Sequence, residues 1–478
     1  MNIKKIFIPV IMLLIISCGK FDDLNVDPNN PVKVETGTLI TSSQRSIGNA
    51  VGSTLGALYA QHISDITYTE GGRYQSIQDN FDAWYTGPLQ NLQTVIDLNT
   101  DPDTKGDVLG SGSNANQIAV ARILKAYFFQ FLTDRWGAIP YSEALKAGEG
   151  IFTPKYDSQE SIYNDLFNEL KEAAAQIDGG AGVKGDIIFG GDMESWKLFA
   201  NTLRMNMAIR ISDVSEQKAR AEFLDAMADG FITADVLYPY LGEANNENPW
   251  FTSFRTRTDF AISENLENYM SGLNDPRLPQ FADPTLNSVA AGNPIIVGMP
   301  YGRQNPTNSP PDVSYPSSTN VKCQDCPLAI ITVAQVHFAL AEAAARGWIA
   351  SSAEEHYKDA IQASWDQWGV TYTQAEFDAY YNQAGVTWNQ ANWRMLIGNQ
   401  KWIALYMQGY EMWAEWRRLD NPVLVLPEEP LNPSAGIPLR NIYGTLEQNL
   451  NGTNYAAAVA QFLGGNDTDG VRLWWDVQ

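Results

Sequence analysis

The sequence predicts a mainly α-helical protein built from tetratricopeptide-like helical hairpins that carry long irregular loops. Three observations lead there. Four segments repeat apolar residues at the 3.6-residue helical period, small residues recur where two such helices would meet, and two long stretches are too rich in Gly and Pro for regular structure. The chain has 478 residues, and 44% of them are hydrophobic and 11% aromatic, which excludes disorder for most of its length. A chain this long buries enough surface to need no disulfide scaffold, and its three Cys are too few for one.

The first element is an address. Lys4 and Lys5 precede an apolar run from Ile6 to Ile16, which is too short to span a bilayer, so residues 1–17 read as a signal peptide. The run ends at Ser17-Cys18-Gly19, the pattern of a bacterial lipobox, with Cys18 as the acylated first residue of the mature chain. Residues 18–35 are polar and read as a lipidated tether. Residues 36–478 then form a single helical domain, with loop-rich insertions at about 231–326 and 421–478.

Four helices follow from periodicity. Leu124, Phe128, Phe131 and Leu132 share a face in 116–136. Ile162, Leu166, Leu170, Ala173 and Ile177 do so in 160–177. Trp196, Phe199, Ala200, Leu203 and Met207 do so after Asp192. Trp402, Leu405, Tyr406, Gly409, Trp413 and Trp416 make the last stripe. Ser158 and Asp192 are expected N-caps. Weaker helical patterns cover 45–66, 81–99, 216–229, 333–347 and 352–367, and 339–346 and 357–364 carry the small residues of a close helix pair. Between these lie the loops. Residues 292–316 hold nine Gly or Pro in 25 positions, and 421–444 hold seven in 24. Binding residues tend to sit on such loops.

The charge excludes one class of function. With 32 Lys+Arg against 55 Asp+Glu, the net charge is −23, and it becomes −25 once Lys4 and Lys5 leave with the signal peptide. Such a chain repels phosphate backbones, so nucleic acid is excluded as a partner.

Catalytic and cofactor motifs fail one by one. Gly180-Ala181-Gly182-Val183-Lys184-Gly185 matches G-x-G-x-x-G but follows a helix instead of a strand. His62, His337 and His356 have no metal-ligand spacing and read as structural. The stretch from Asp101 to Gly112 starts like a calcium loop but puts Lys105 at a ligand position. Acidic pairs such as Glu354-Glu355 and Glu428-Glu429 are too common in this chain to mark a glycosidase. Cys323 and Cys326 form C-x-x-C, and in an exported chain a small loop disulfide or free thiols both fit. No enzyme activity, cofactor or metal is expected.

Several strings resemble the SusD/RagB family of outer-membrane nutrient-binding lipoproteins, most closely its SusD-like second subgroup. They are Asp134-Arg135-Trp136-Gly137-Ala138-Ile139-Pro140-Tyr141, Trp196-Lys197-Leu198-Phe199-Ala200-Asn201-Thr202-Leu203-Arg204, Asn274-Asp275-Pro276-Arg277-Leu278, and Ala329-Ile330-Ile331-Thr332 leading to His337-Phe338-Ala339-Leu340-Ala341-Glu342-Ala343. Gln400-Lys401-Trp402-Ile403-Ala404-Leu405-Tyr406, Gly409-Tyr410-Glu411 and Trp416-Arg417-Arg418 complete the set. The resemblance implies a SusD-like α-α superhelix on the outer leaflet that captures oligosaccharides, or in some members peptides. It also implies delivery of the ligand to a SusC-like TonB-dependent transporter, without catalysis. The acidic residues after Cys18 resemble a surface-export signal of Bacteroidetes lipoproteins.

A glycan site joins an exposed aromatic face, which stacks on sugar C–H groups, with polar partners for hydroxyls. Trp136, Trp196, Trp402, Trp413 and Trp416 read as core. The loop candidates are Tyr68, Arg73 and Tyr74; Asn248, Trp250 and Phe251; and Tyr301, Arg303 and Tyr315. Three readings stay open on the residues themselves. They are oligosaccharide capture, capture of cationic peptides steered by the acidic surface, and a scaffold with no small ligand.

Overall fold

A computed structural model describes residues 35–477. The signal peptide, the lipobox with Cys18 and nearly all of the tether lie outside the described residues.

Helix α1 (Thr36–Val51) and short α2 (Thr54–Tyr59) open the fold and are followed by α3 (Gln90–Thr100), α4 (Asn114–Trp136) and α5 (Gln159–Gln176). Next come α6 (Met193–Arg210), α7 (Glu216–Ala228), α8 (Pro249–Phe254) and α9 (Glu264–Gly272). The C-terminal part holds α10 (Val333–Ala345), α11 (Ala353–Gln367), α12 (Gln374–Tyr381), α13 (Trp393–Ala404), α14 (Gly409–Leu419) and α15 (Gly452–Phe462). The pairs α4/α5, α6/α7, α10/α11 and α13/α14 pack as neighbours, which gives the expected array of helical hairpins.

Local chemistry sets the helix starts. The Ser158 side chain accepts from Ser161 N–H and that of Asp192 from Glu194 N–H, so both expected caps are in place. Thr332 and Gln335 make a reciprocal capping box at α10. Helix α4 is buried on most of its circumference, from Val120 and Leu124 to Phe128, Leu132 and Trp136, because other helices cover it on several sides.

Two of the helical readings, one weak and one of the four clear stripes, break up. The segment 45–66 divides at Gly52–Ser53 and ends in strand β1 (Ile63–Asp65) after Gln61, whose φ is 55°. The stripe from Trp402 to Trp416 spans two helices, because α13 stops at Ala404 and a turn through Met407 (φ 69°) precedes α14. Its period runs on because both helices face the same core.

Short strands tie the loops down. β1 pairs antiparallel with β6 (Phe260–Ile262), in the register Ile63↔Ile262. β2 (Gln78–Asp79) runs parallel to β8 (Ile442–Tyr443). β3 (Ile139–Pro140) pairs with β4 (Tyr156–Asp157), and β5 (Val236–Tyr238) with β7 (Leu328–Ile331). One apolar core runs from Ile40 to Trp475, and a second, around Phe338, Tyr357, Trp365 and Phe377, lies between α10, α11, α12 and α13.

Several charged residues of the strings quoted above, among them Asp134, Glu342, Lys401, Glu411 and Arg418, sit in ion pairs that link helices. Arg210 bonds Asp134 at 2.7 Å, Glu411 at 2.6 Å and Glu415 at 2.9 Å. Arg418 bonds Glu342 and Glu415, both at 2.7 Å, and Lys401 reaches Glu415 at 2.7 Å. Burial by itself would raise the Glu415 carboxyl, but Arg418, Lys401 and Arg210 hold it well below the usual carboxylate range. Asp275 and Arg277 form a second buried pair at 2.6 Å, and the guanidinium also donates to Ser364, Tyr380 and Gln400.

Candidate functional site

Three loop segments, 66–75, 299–305 and 421–431, converge beside α2 and β1. Tyr301 O–H donates to the Leu58 carbonyl at 2.8 Å and its ring lies 6.4 Å from that of Tyr74. Leu431 N–H donates to the Arg73 carbonyl, and Glu428 N–H to the Gly302 carbonyl. Gly302 has φ 64°, and a Cβ there would meet Pro427 at 2.7 Å, so a side chain would push the two loops apart. Arg73 donates to the Glu429 carbonyl at 2.7 Å, and Arg303 pairs with Glu428 at 2.6 Å. The Glu428-Glu429 pair therefore anchors loops.

This convergence separates the sequence candidates. Tyr68 is 58% exposed and offers an aromatic ring to solvent. Arg303 is exposed, and Phe251 and Tyr315 are half-buried. Tyr74, Tyr301 and Arg73 are buried, so the expected stacking by Tyr74 and Tyr301 is corrected. The Tyr74 ring packs against those of Tyr59 and Tyr301 within the loop core. Trp250 has 0% exposure and packs edge-on to Phe260 at 6.1 Å, so it too presents no face to a ligand. Asn248 is a buried latch. Its Oδ1 accepts from Trp250 N–H, and its Nδ2 donates to the Val321 carbonyl at 3.0 Å and to that of Cys326 at 2.7 Å. Cys323 and Cys326 are joined in a disulfide. Tyr315 stands 5.9 Å from Phe254, with Lys322 5.6 Å from its ring.

Tyr68 borders an open cleft of 280 Å³ whose floor is Leu55, Leu58 and Phe260. Asp65, Arg257 and Asp259 supply polar groups at its wall. The Arg257 guanidinium sits 5.3 Å from the Tyr68 ring centre and pairs with Asp259 at 3.0 Å. Asp65 accepts from Gly72 N–H at 2.6 Å, yet burial pushes its carboxyl up to about 7. Arg257, Asp259 and Asp65 were not among the sequence candidates. Arg257 and Asp259 lie just after a loop that was flagged, and the β1–β6 pairing is what brings them opposite Tyr68.

A second, more polar recess of 710 Å³ shares the 249–260 segment as a wall and includes Arg45, Asn49, Asn245, Asn246 and Arg255. Arg45 donates to the Asn245 carbonyl, and Arg255 pairs with Glu247. An exposed ring over an apolar floor, next to fixed donors and acceptors, suits a ligand with both C–H faces and hydroxyls.

The family model for SusD-like proteins described as "Starch-binding associating with outer membrane" matches residues 28–444. No curated protein sequence matches the chain. Among solved structures, it is similar to a chitin-binding protein at 28% identity and TM-score 0.78, over 93% of this chain and 100% of the other. It is similar to a SusD-like protein of Bacteroidetes at 25% identity and TM-score 0.79, over 93% and 100%. A SusD homologue from Bacteroides uniformis shares the fold at TM-score 0.76 and 24% identity, over 92% and 99%.

Proposed function

The chain belongs to the SusD-like family described as starch-binding and associating with the outer membrane, and from that membership we propose that it captures oligosaccharides at the cell surface and delivers them to a SusC-like TonB-dependent transporter. The family is one of binding proteins, not enzymes. In this reading acylated Cys18 holds the protein to outer-membrane lipid on the extracellular side, and residues 36–478 act as one binding body. No described helix is long and apolar enough to cross a membrane.

The observation that carries the glycan reading is the Tyr68 cleft. Its ring face, the Leu55 and Leu58 floor and the Arg257 and Asp259 groups together match the mixed surface of a sugar. The chitin-binding neighbour supports an oligosaccharide as the ligand class. Isothermal titration of the mature protein against starch-derived and chitin-derived oligosaccharides tests it. Binding without turnover is expected. Tyr68→Ala should weaken binding about tenfold, the worth of one aromatic stacking contact, at unchanged melting temperature. Undiminished affinity in that variant, or release of shortened sugars, would sink the assignment. The net charge of −25 on the chain without Lys4 and Lys5 favours cationic peptides as a second ligand class. Salt-sensitive peptide binding in the absence of glycan binding would select that reading.

A further inference from the structure

Away from the loop face, the α10/α11 hairpin brings together two histidines that are distant in sequence. His337 lies on α10, and His356 and Asp359 lie one turn apart on α11. One nitrogen of each ring and one Asp359 oxygen all fall within 4.8 Å of one another. The two rings are 6.0 Å apart, centre to centre. His337 Nδ1 is 3.8 Å from Asp359 Oδ2, too far for a hydrogen bond. The Nδ1 atoms of both histidines are covered and have no hydrogen-bond partner.

We propose that His337, His356 and Asp359 form a transition-metal site on this hairpin, with Zn²⁺ as the best-suited ion. Two neutral imidazoles and one carboxylate are a donor set for a borderline-soft divalent cation, whereas Ca²⁺ and Mg²⁺ demand oxygens. The outer shell agrees. His356 Nε2 lies 2.8 Å from Ser351 Oγ, and a hydrogen donated there leaves the Nδ1 lone pair free to ligate. Packing holds both backbones: Phe338, next to His337, faces Tyr357, next to His356, at 6.3 Å. Ligand atoms around tetrahedral zinc stand about 3.3 Å apart, given bonds of about 2.0–2.1 Å. Rotation of these side chains supplies that closure, since His337 is 27% and Asp359 47% exposed. Among the described residues no lysine or arginine pairs with Asp359, because neighbouring Lys358 is taken up by Glu354 and Glu355. The partial exposure leaves a fourth position for water or a further donor.

The test uses the mature full chain, stripped with chelator and titrated with Zn²⁺ alone by calorimetry, with a thermal shift measured in parallel. One Zn²⁺ per chain and a rise in melting temperature are expected. His337→Ala, His356→Ala and Asp359→Asn should each weaken binding more than about tenfold and abolish the thermal rise. Asp366→Asn, exposed on the same helix and away from the trio and Lys358, should keep both. Asp359→Asn is nearly isosteric at an exposed position, so it decides the matter even if a histidine variant misfolds. Absence of stoichiometric binding, or binding that survives the Asp359→Asn and double-histidine changes, overturns the site.

Discussion

His62, just before strand β1, and Asp65, its last residue, respond to pH in opposite directions. Burial pushes the His62 imidazole down to about 3, against its one aid, the contact with the Trp402 carbonyl. Folding therefore favours the neutral ring. The stability this contributes is complete above the ordinary value near 6.5 and falls by about 1.4 kcal/mol per pH unit below it. Asp65, with its carboxyl raised by burial to about 7, favours the protonated form. Its contribution is complete below about 3.8 and is lost as pH rises towards 7. Between about pH 4 and 6.5 the two slopes offset each other. Asp65→Asn keeps an acceptor for Gly72 N–H and removes only the titration. The variant should lose about 1.4 kcal/mol more per unit of acidification than the parent over that window, read by urea denaturation at three pH values. Equal slopes in both proteins would refute the pairing. Residue type alone did not separate Tyr68 from Tyr74, six positions apart in one loop. Tyr74 is covered because Gln61 and Tyr301 come to it from other segments.

At the scale of elements, α14 meets α2 through two glycines. A Cβ on Gly409 would stand 2.0 Å from the Gly56 carbonyl carbon, so the backbones touch where a side chain would sit. The sequence placed Gly409 correctly on the buried stripe, yet gave no sign that a second backbone closes on it. Gly409→Ala should cost about 3 kcal/mol through forced separation of the helices, and circular dichroism melts would show it. A melting temperature equal to the parent's would mean that the contact is loose. The same stripe shows why the helix boundary was missed. A period of 3.6 reports which side faces the core, and it persists across the Met407 turn because α13 and α14 share that core.

Across the whole molecule, buried charge links distant helices. Glu415 on α14 is the shared anion of Arg210 on α6, Lys401 on α13 and Arg418 on α14. Glu415→Gln leaves three buried cations short of a counter-charge, and a loss of about 3–5 kcal/mol is expected in denaturant titration. A loss under about 1 kcal/mol would show that water or Glu342 replaces it. If the Tyr68 cleft holds the ligand as proposed, its affinity should persist in any folded fraction of this variant, because Tyr68 and Arg257 lie in other segments.

By itself the sequence determined the helical class, the buried faces of the main helices, the N-caps at Ser158 and Asp192, and membership of a family through strings such as Asp134-Arg135-Trp136. These features are local, set by a few consecutive turns of chain and the apolar pattern on them. Only the tertiary structure decided which loop aromatics reach solvent, how Arg257 comes to stand over Tyr68, and that His337 and His356 face each other. Exposure of a loop side chain depends on partners hundreds of residues away, as with Arg73 and Glu429, and no short-range period encodes such a meeting.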